Sequence, residues 1–131
     1  MRYLLDTNTC IFLMKNIESV VSNYKTKHYL GVALSTITVA ELHFGVYNSK
    51  HREKNGRSLS GFLVGVDVLE FDGLAAVEYG RIRADLQWRG EPIGSLDMLI
   101  AAHALAKDLT LVTDNTREFE RVEGLQIENW K

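Results

Sequence analysis

Short apolar segments alternate with helical segments along the whole sequence. Five of the apolar segments are predicted as strands, at residues 2–5, 30–34, 66–71, 110–113 and 125–128. Helices are predicted between them, at residues 9–15, 19–25, 39–47, 50–64, 73–89 and 95–107. Strands separated by helices pair in parallel and are covered on both faces. We therefore predict an α/β fold, a three-layer α/β/α sandwich with a mostly parallel central sheet, and 131 residues suit one domain spanning 1–131.

Composition and charge narrow the class of protein. Hydrophobic residues make up 46% and charged residues 24%, the balance of an ordinary globular protein. No apolar segment could span a bilayer and no targeting segment is evident, so we expect a cytoplasmic protein without membrane contact. The single cysteine, Cys10, cannot form an internal disulfide, which fits a reducing compartment. A net charge of −2 excludes coating of nucleic acid by bulk charge, so contact with RNA would need local basic patches.

Four acidic residues follow predicted strands or lie near predicted helix starts: Asp6, Glu41, Asp97 and Asp114. Each has a structural explanation of its own. Asp6 could cap the next helix, Glu41 could complete a capping box with Thr38, and the other two could stabilise a helix start or a turn. Taken together, however, all four are predicted at the carboxyl edge of one parallel sheet, where binding sites form.

The cost of bringing carboxylates together favours a metal site. An N-cap is worth roughly 1 kcal/mol. Two carboxylates ~4 Å apart repel by ~4 kcal/mol at an effective dielectric constant of ~20. Capping cannot compensate for that repulsion, whereas a bound divalent cation can. Oxygen ligands without a cluster of histidines or cysteines favour Mg²⁺ or Mn²⁺ over zinc.

The other chemistry-bearing residues do not indicate a different enzyme class. Cys10 lies in an apolar helical segment and His103 in a helix that is apolar along much of its length. We interpret both as core residues, with the polar atoms of His103 satisfied. The sequence has no phosphate-binding P-loop, which argues against nucleoside-triphosphate enzymes of that class. A metal cleft lined by acids is best suited to activating water for attack on a phosphodiester.

A resemblance to a known family extends over nearly the whole chain. The sequence resembles VapC-type toxins of the PIN-domain ribonuclease family in four segments, in the same order: LLDTNTC, STITVAELHFG, GSLDMLIAAHA and LVTDNTREFERVEGLQIENW. The resemblance implies a PIN-like fold and an endoribonuclease that depends on Mg²⁺ or Mn²⁺ and halts translation. It also implies a cognate VapB-like antitoxin bound over the active cleft, and a homodimer. The NTREF segment and the ENW-type ending further imply initiator tRNA, cleaved in its anticodon loop, as the substrate.

The resemblance also implies roles for individual residues. Asp6 and Asp97 match the acids that hold the metal most directly, and Glu41 matches the acid that helps to position the metal or the water. The family often places a fourth aspartate two residues after the last strand threonine. In this chain Asn115 occupies that place, while Asp114 comes one residue early. Either Asn115 is a neutral ligand acting through water, or the turn lets Asp114 substitute.

RNA binding would need cations near the cleft. Arg117 lies close to Asn115 and could hold a phosphate or bind the antitoxin. A basic run offers a second candidate surface for RNA: Lys50, His51, Arg52, Lys54 and Arg57.

Two other functions stay open at the level of sequence. One is a PIN-like module that binds RNA or protein without catalysis. The other is a phosphatase of the haloacid dehalogenase type, which also begins with a strand and an aspartate. That class needs Asp-x-Asp, where this chain has Asp6-Thr7-Asn8. RNA cleavage titrated with metal distinguishes the nuclease from both.

Overall fold

The computed structural model describes residues 1–131 and contains five strands and seven α-helices. The strands are β1 (Tyr3–Leu5), β2 (Val32–Ser35), β3 (Asp67–Leu69), β4 (Thr110–Val112) and β5 (Ile127–Glu128). The helices are α1 (Thr7–Met14), α2 (Glu18–Lys27), α3 (Thr36–Tyr47), α4 (Arg52–Val64), α5 (Gly73–Arg89), α6 (Ser95–Ala106) and α7 (Thr116–Phe119). A 3₁₀ helix, His28–Leu30, precedes β2.

All strands pair in parallel, in the order β3-β2-β1-β4-β5. β1 is central, and its Leu4 pairs with Ala33 of β2 and Leu111 of β4. The predicted α/β sandwich is confirmed, with a sheet that is parallel throughout. From β1 the chain adds β2 and β3 on one side, and later β4 and β5 on the other. Such a switch in strand order opens a crevice beyond the carboxyl ends of the strands, in this chain beyond β1 and β4.

Two apolar cores lie on opposite faces of the sheet, because side chains alternate along each strand. Leu4 points into a core that includes Leu86 of α5 and Ile100 of α6. Tyr3 and Leu5 point into the other core, which α1 to α4 cover. Its other members include Cys10, which is fully buried as predicted, together with Leu42, Leu59 and Trp130. None of the helices has both the length and the apolar character that crossing a membrane would require.

Local sequence signals predicted some helix ends correctly and missed others. α5 begins and ends where predicted. It ends at Arg89 because Gly90 adopts the left-handed conformation (φ 69°) that terminates a helix. α1 begins two residues earlier than predicted. Its N-cap is Asp6, whose side chain accepts a hydrogen bond from the backbone of Thr9, so Thr7 lies inside the helix. The four-residue α7 was not predicted.

The start of α3 also differs from the prediction. Ser35, the last residue of β2, is its N-cap and accepts a hydrogen bond from the backbone N–H of Ile37 at 3.1 Å. The predicted capping box of Thr38 and Glu41 is therefore wrong, since the helix already begins at Thr36. Thr38 is fully buried and its hydroxyl has no hydrogen-bond partner. Glu41 is consequently free to point towards α1.

Candidate active site

Asp6 lies at the switch in strand order, directly after β1. Its side chain is buried, 5% exposed, and its Oδ1 accepts a hydrogen bond from the N–H of Thr9 at 2.8 Å. The Thr9 hydroxyl donates to the carbonyl of Val112 at 3.1 Å, which ties α1 to β4. Burial raises the pKa of Asp6, hydrogen bonds from Thr113 and Thr9 oppose that rise, and nearby Asp114 adds to it. Asp6 is thus both the helix cap and a carboxylate fixed beside β4.

Glu41 reaches the same region from α3. Its carboxylate accepts a 2.6 Å hydrogen bond from the hydroxyl of Thr7, the first residue of α1. Since Thr7 directly follows Asp6, this bond fixes the Glu41 carboxylate close to the end of β1. Glu41 is half-buried and lines a surface groove.

Asp97 lies in the first turn of α6, as predicted. Burial raises its pKa to about 6, and the negative charges of Glu118, Glu41 and Asp6 contribute to the rise. The pKa of this one carboxyl group of α6 is therefore raised by acids from three other places in the fold: α7, α3 and the end of β1. No side-chain hydrogen bond holds the Asp97 carboxylate. It folds back over Gly94, where an added Cβ would lie 3.0 Å from Oδ2.

Glu118 is the site residue that sequence reasoning missed. It lies in α7, and its Oε2 accepts a 3.0 Å hydrogen bond from the side-chain amide of Asn115. The backbone N–H of Asn115 in turn donates to the Thr113 hydroxyl at 3.0 Å. The only sequence signal for Glu118 was its position three residues after Asn115, at the start of a helix that follows a strand. Asn115 and Glu118 together form the β4 side of the site. The charge of Asp114 contributes to the raised pKa of Asp6.

The donor set fits a hard divalent cation. The chain forms five ion pairs, and none includes Asp6, Glu41, Asp97, Asp114 or Glu118. Neighbouring negative charges therefore contribute to the raised pKa of Asp6 and of Asp97, and no ion pair compensates them. The small Gly94 leaves room for the Asp97 carboxylate at the helix start. Oxygen donors of this kind suit Mg²⁺ or Mn²⁺. As arranged, no three His, Cys, Asp or Glu side chains could hold one ion, so the assignment of individual ligands stays a prediction.

The predicted RNA-binding cations occupy two places. Arg117 is exposed on α7, next to Glu118, and forms no ion pair. Lys50 and Arg52 lie at the junction of α3 and α4, where the Arg52 Nε donates to the carbonyl of Tyr47 at 2.8 Å. The hollow at this junction has no site acid in its lining: Ser49, Lys50, His51, Arg52, Glu53, Lys54 and Arg57. Only Arg117 directly adjoins the acids.

Comparison with known proteins decides the family. A family model described as PIN domain matches residues 3–125. A Shigella flexneri protein named tRNA(fMet)-specific endonuclease VapC is 42% identical over 130 residues, covering 99% of this chain and 98% of that protein. The chain is a VapC-type PIN domain. Ribonuclease VapC2 of Rickettsia felis is similar to this PIN domain as well, at 40% identity with the same coverage. The haloacid dehalogenase alternative is thereby excluded.

Solved structures of VapC-type PIN domains have the same fold. The chain is similar to one in VapBC2 from Rickettsia felis bound to a DNA fragment from their promoter, with a TM-score of 0.95, 38% identity and full coverage of both chains. It is similar to one in DNA-bound VapBC from Salmonella typhimurium, with a TM-score of 0.94, 40% identity and coverage of 100% and 99%. PIN-domain ribonucleases generally depend on a divalent metal.

Proposed function

We propose that this PIN domain is the toxin of a type II toxin–antitoxin pair, and that it is a Mg²⁺-dependent endoribonuclease whose activity inhibits translation. Mn²⁺ would serve as an alternative ion. The observation that carries the proposal is the gathering of acids from separate elements: hydrogen bonds fix Asp6 and Glu41 at the start of α1. The charges of Glu118, Glu41 and Asp6 in turn reach Asp97, whose pKa is raised mainly by burial, to about 6. Acids whose pKa is raised by burial and by neighbouring acids mark a functional site, and a divalent cation would compensate their charge.

Asp6, Asp97 and Glu41 are the proposed ligands, and their side chains would have to reorient towards a common ion, because they do not converge on one point as arranged. When bound, such an ion supplies an activated water and offsets the charge of the scissile phosphate. The chain contributes positioning, because the Thr9 N–H fixes Asp6 and the Thr7 hydroxyl fixes Glu41. The Asn115 and Glu118 pair would border the site on the β4 side. Asp114 would affect the site indirectly, because its charge raises the pKa of Asp6.

We propose RNA as the substrate, and more specifically initiator tRNA cut in the anticodon loop, from the similarity to proteins named tRNA(fMet)-specific endonucleases. Arg117 would hold a phosphate beside the acids, because it is the exposed cation nearest to them along α7. Lys50 and Arg52 would bind the RNA backbone farther out, where no acid of the site lines the surface. A tRNA substrate also implies that the protein acts in the cytoplasm.

A VapB-like antitoxin is the proposed protein partner, since the similar solved structures are VapBC complexes. A groove between α1, α3 and α4 is a suitable surface for it, because the groove is half apolar and Glu41 lies in its wall. Its apolar lining consists of Ile11, Met14, Leu42, Val46 and Leu59. An antitoxin segment bound there would cover the approach to the acids. We also propose that the toxin forms a homodimer.

Metal-titrated cleavage of tRNA tests the nuclease proposal. Asp6→Asn and Asp97→Asn should each abolish cleavage in Mg²⁺ or Mn²⁺, because each removes a charged ligand. Asp67→Asn is the matched control, since Asp67 is exposed on β3 and the change in net charge is the same. Circular dichroism should show all three variants folded.

Cleavage at the wild-type rate by either site variant, or full cleavage in EDTA, would refute the metal assignment. A wild-type protein that binds RNA and cuts none with either ion would instead be a non-catalytic RNA-binding module.

A further inference from the structure

A buried hydrogen bond joins the two helices that carry Glu41 and Asp97. The ring Nδ1 of His103 in α6 lies 2.7 Å from the hydroxyl oxygen of Ser35, the N-cap of α3. Both residues are fully buried, at 0% exposure. It is the sole side-chain hydrogen bond between α6 and α3 with its cap. The two helices therefore have one directional link in the protein interior.

The prediction that His103 is a satisfied core histidine is only half correct. Its other ring nitrogen, Nε2, is buried without a hydrogen bond of good geometry, although a backbone group of Glu70 interacts with the ring. Burial and the charge of Lys107 lower the pKa of His103, against smaller opposing effects of Asp72 and the Glu70 backbone. A buried unpaired nitrogen costs stability that a leucine of similar volume would not cost. The bond from Nδ1 to Ser35 is therefore the one well-formed hydrogen bond that the His103 ring makes.

The segment that follows β3 also contacts the His103 ring. The ring of Phe71, which follows β3, packs edge-on against it at 5.5 Å between centroids. The N–H of Phe71 donates to the hydroxyl of Thr36, the first residue of α3, at 3.2 Å. The imidazole is thus held in one orientation relative to the start of α3.

The hydrogen bond between His103 and Ser35 lies at the same sequence distance from both site acids. Asp97 lies six residues before His103 on α6, and Glu41 lies six residues after Ser35 on α3. Each acid is therefore roughly 9 Å along its helix from the link, at 1.5 Å per residue. Glu41 is also held by Thr7, whereas the Asp97 carboxylate has no hydrogen bond of its own. The position of Asp97 hence depends on how α6 as a whole is placed, both by its packing against α5 in the core and by its link to α3.

We propose that His103 is a positioning residue whose bond to Ser35 sets the placement of α6 against α3, and thereby the affinity of the acidic site for a divalent cation. This inference rests on the proposed function, since it concerns the same metal site. A shift of about 1 Å in a supporting element is enough to loosen a site built from two helices.

Direct Mn²⁺ binding, measured by electron paramagnetic resonance of the free ion, tests the proposal. His103→Leu removes the bond and keeps the bulk, and Ser35→Ala removes it from the other side. Each should weaken Mn²⁺ binding about tenfold, the lower end of the range for groups that support metal ligands. The double variant should bind no more weakly than the worse single one. His103→Asn, which places an amide near the position of Nδ1, should recover most of the affinity.

Leu105→Ala is the matched control, because Leu105 packs against the core on the same helix and makes no hydrogen bond to α3. It should lower the melting temperature without changing Mn²⁺ affinity. Wild-type affinity in both single variants would overturn the proposal. The same holds if the decrease in affinity follows the decrease in melting temperature in every variant, Leu105→Ala included. No Mn²⁺ binding by the wild-type protein would overturn the proposed function itself, and this inference with it.

Discussion

Asparagine in place of Asp97 should make the metal-free protein more stable, although it removes a metal ligand. Burial raises the pKa of this carboxyl from 3.8 to about 6, and Glu118, Glu41 and Asp6 contribute through their charges. The carboxylate is therefore unfavourable in the folded state at neutral pH. An amide of the same shape removes the charge and leaves the packing unchanged.

The size of the effect follows from the pKa. A rise of that extent corresponds to about 3 kcal/mol against the charged form. Because the side chain is only half-buried, solvent screening reduces this to about 1–2 kcal/mol. Removing the favourable interaction between the Asp97 charge and the N-terminus of α6 costs about 0.5 kcal/mol. The net gain is about 1 kcal/mol, which raises the melting temperature by about 4 °C for a chain of this length.

The effect should also depend on pH. The folded protein binds the Asp97 proton more tightly than the unfolded chain does. Asp97 therefore contributes stability below pH 3.8, and that stability is lost as the pH rises through about 6. The advantage of Asp97→Asn in EDTA should be present at about pH 7.5 and small at about pH 4.5.

Calorimetric melting in EDTA and in MgCl₂ measures this difference. Mg²⁺ should raise the melting temperature of the wild-type protein and leave that of Asp97→Asn nearly unchanged, because ligand binding stabilises only a folded state that binds it. Asp67→Asn controls for net charge. The reasoning would be refuted by an Asp97→Asn variant that melts at or below the wild-type temperature in EDTA at about pH 7.5.

Two further variants test other parts of the site. Gly94→Ala places a Cβ 3.0 Å from Oδ2 of Asp97, so it should displace that carboxylate and lower cleavage about tenfold, with an unchanged melting temperature; wild-type cleavage would contradict this. The double variant Lys50→Glu/Arg52→Glu should weaken tRNA binding and reduce the slope of its salt dependence by about one unit for each phosphate that is no longer bound, measured by fluorescence anisotropy at several salt concentrations. The double variant Arg81→Glu/Arg83→Glu on α5, where both residues are exposed, makes the same change in net charge and is its control; an equal effect there would indicate that net charge alone is responsible.

Local sequence patterns determined the elements and the edge of the sheet at which the acids lie. The extent of α5 could be read from residues close together in the chain, because glycine at position 90 permits the left-handed turn that ends it. The parallel sheet followed from strands alternating with helices. A parallel sheet has one carboxyl edge, so Asp6 and Asp97 could be predicted to lie near each other, and the charge of Asp6 does act on the pKa of Asp97.

Tertiary structure decided which side chains interact within that region. Thr7 meets Glu41 across 34 residues of sequence, and His103 meets Ser35 across 68. No local pattern encodes such pairs, because they depend on the strand order and on how the helices pack across the sheet. Glu118 joined the site for the same reason, since the short α7 brings it towards Asp97. The sequence thus determined the kind of chemistry, and packing determined the hydrogen-bond partners of the acids and the raised pKa of Asp6 and Asp97.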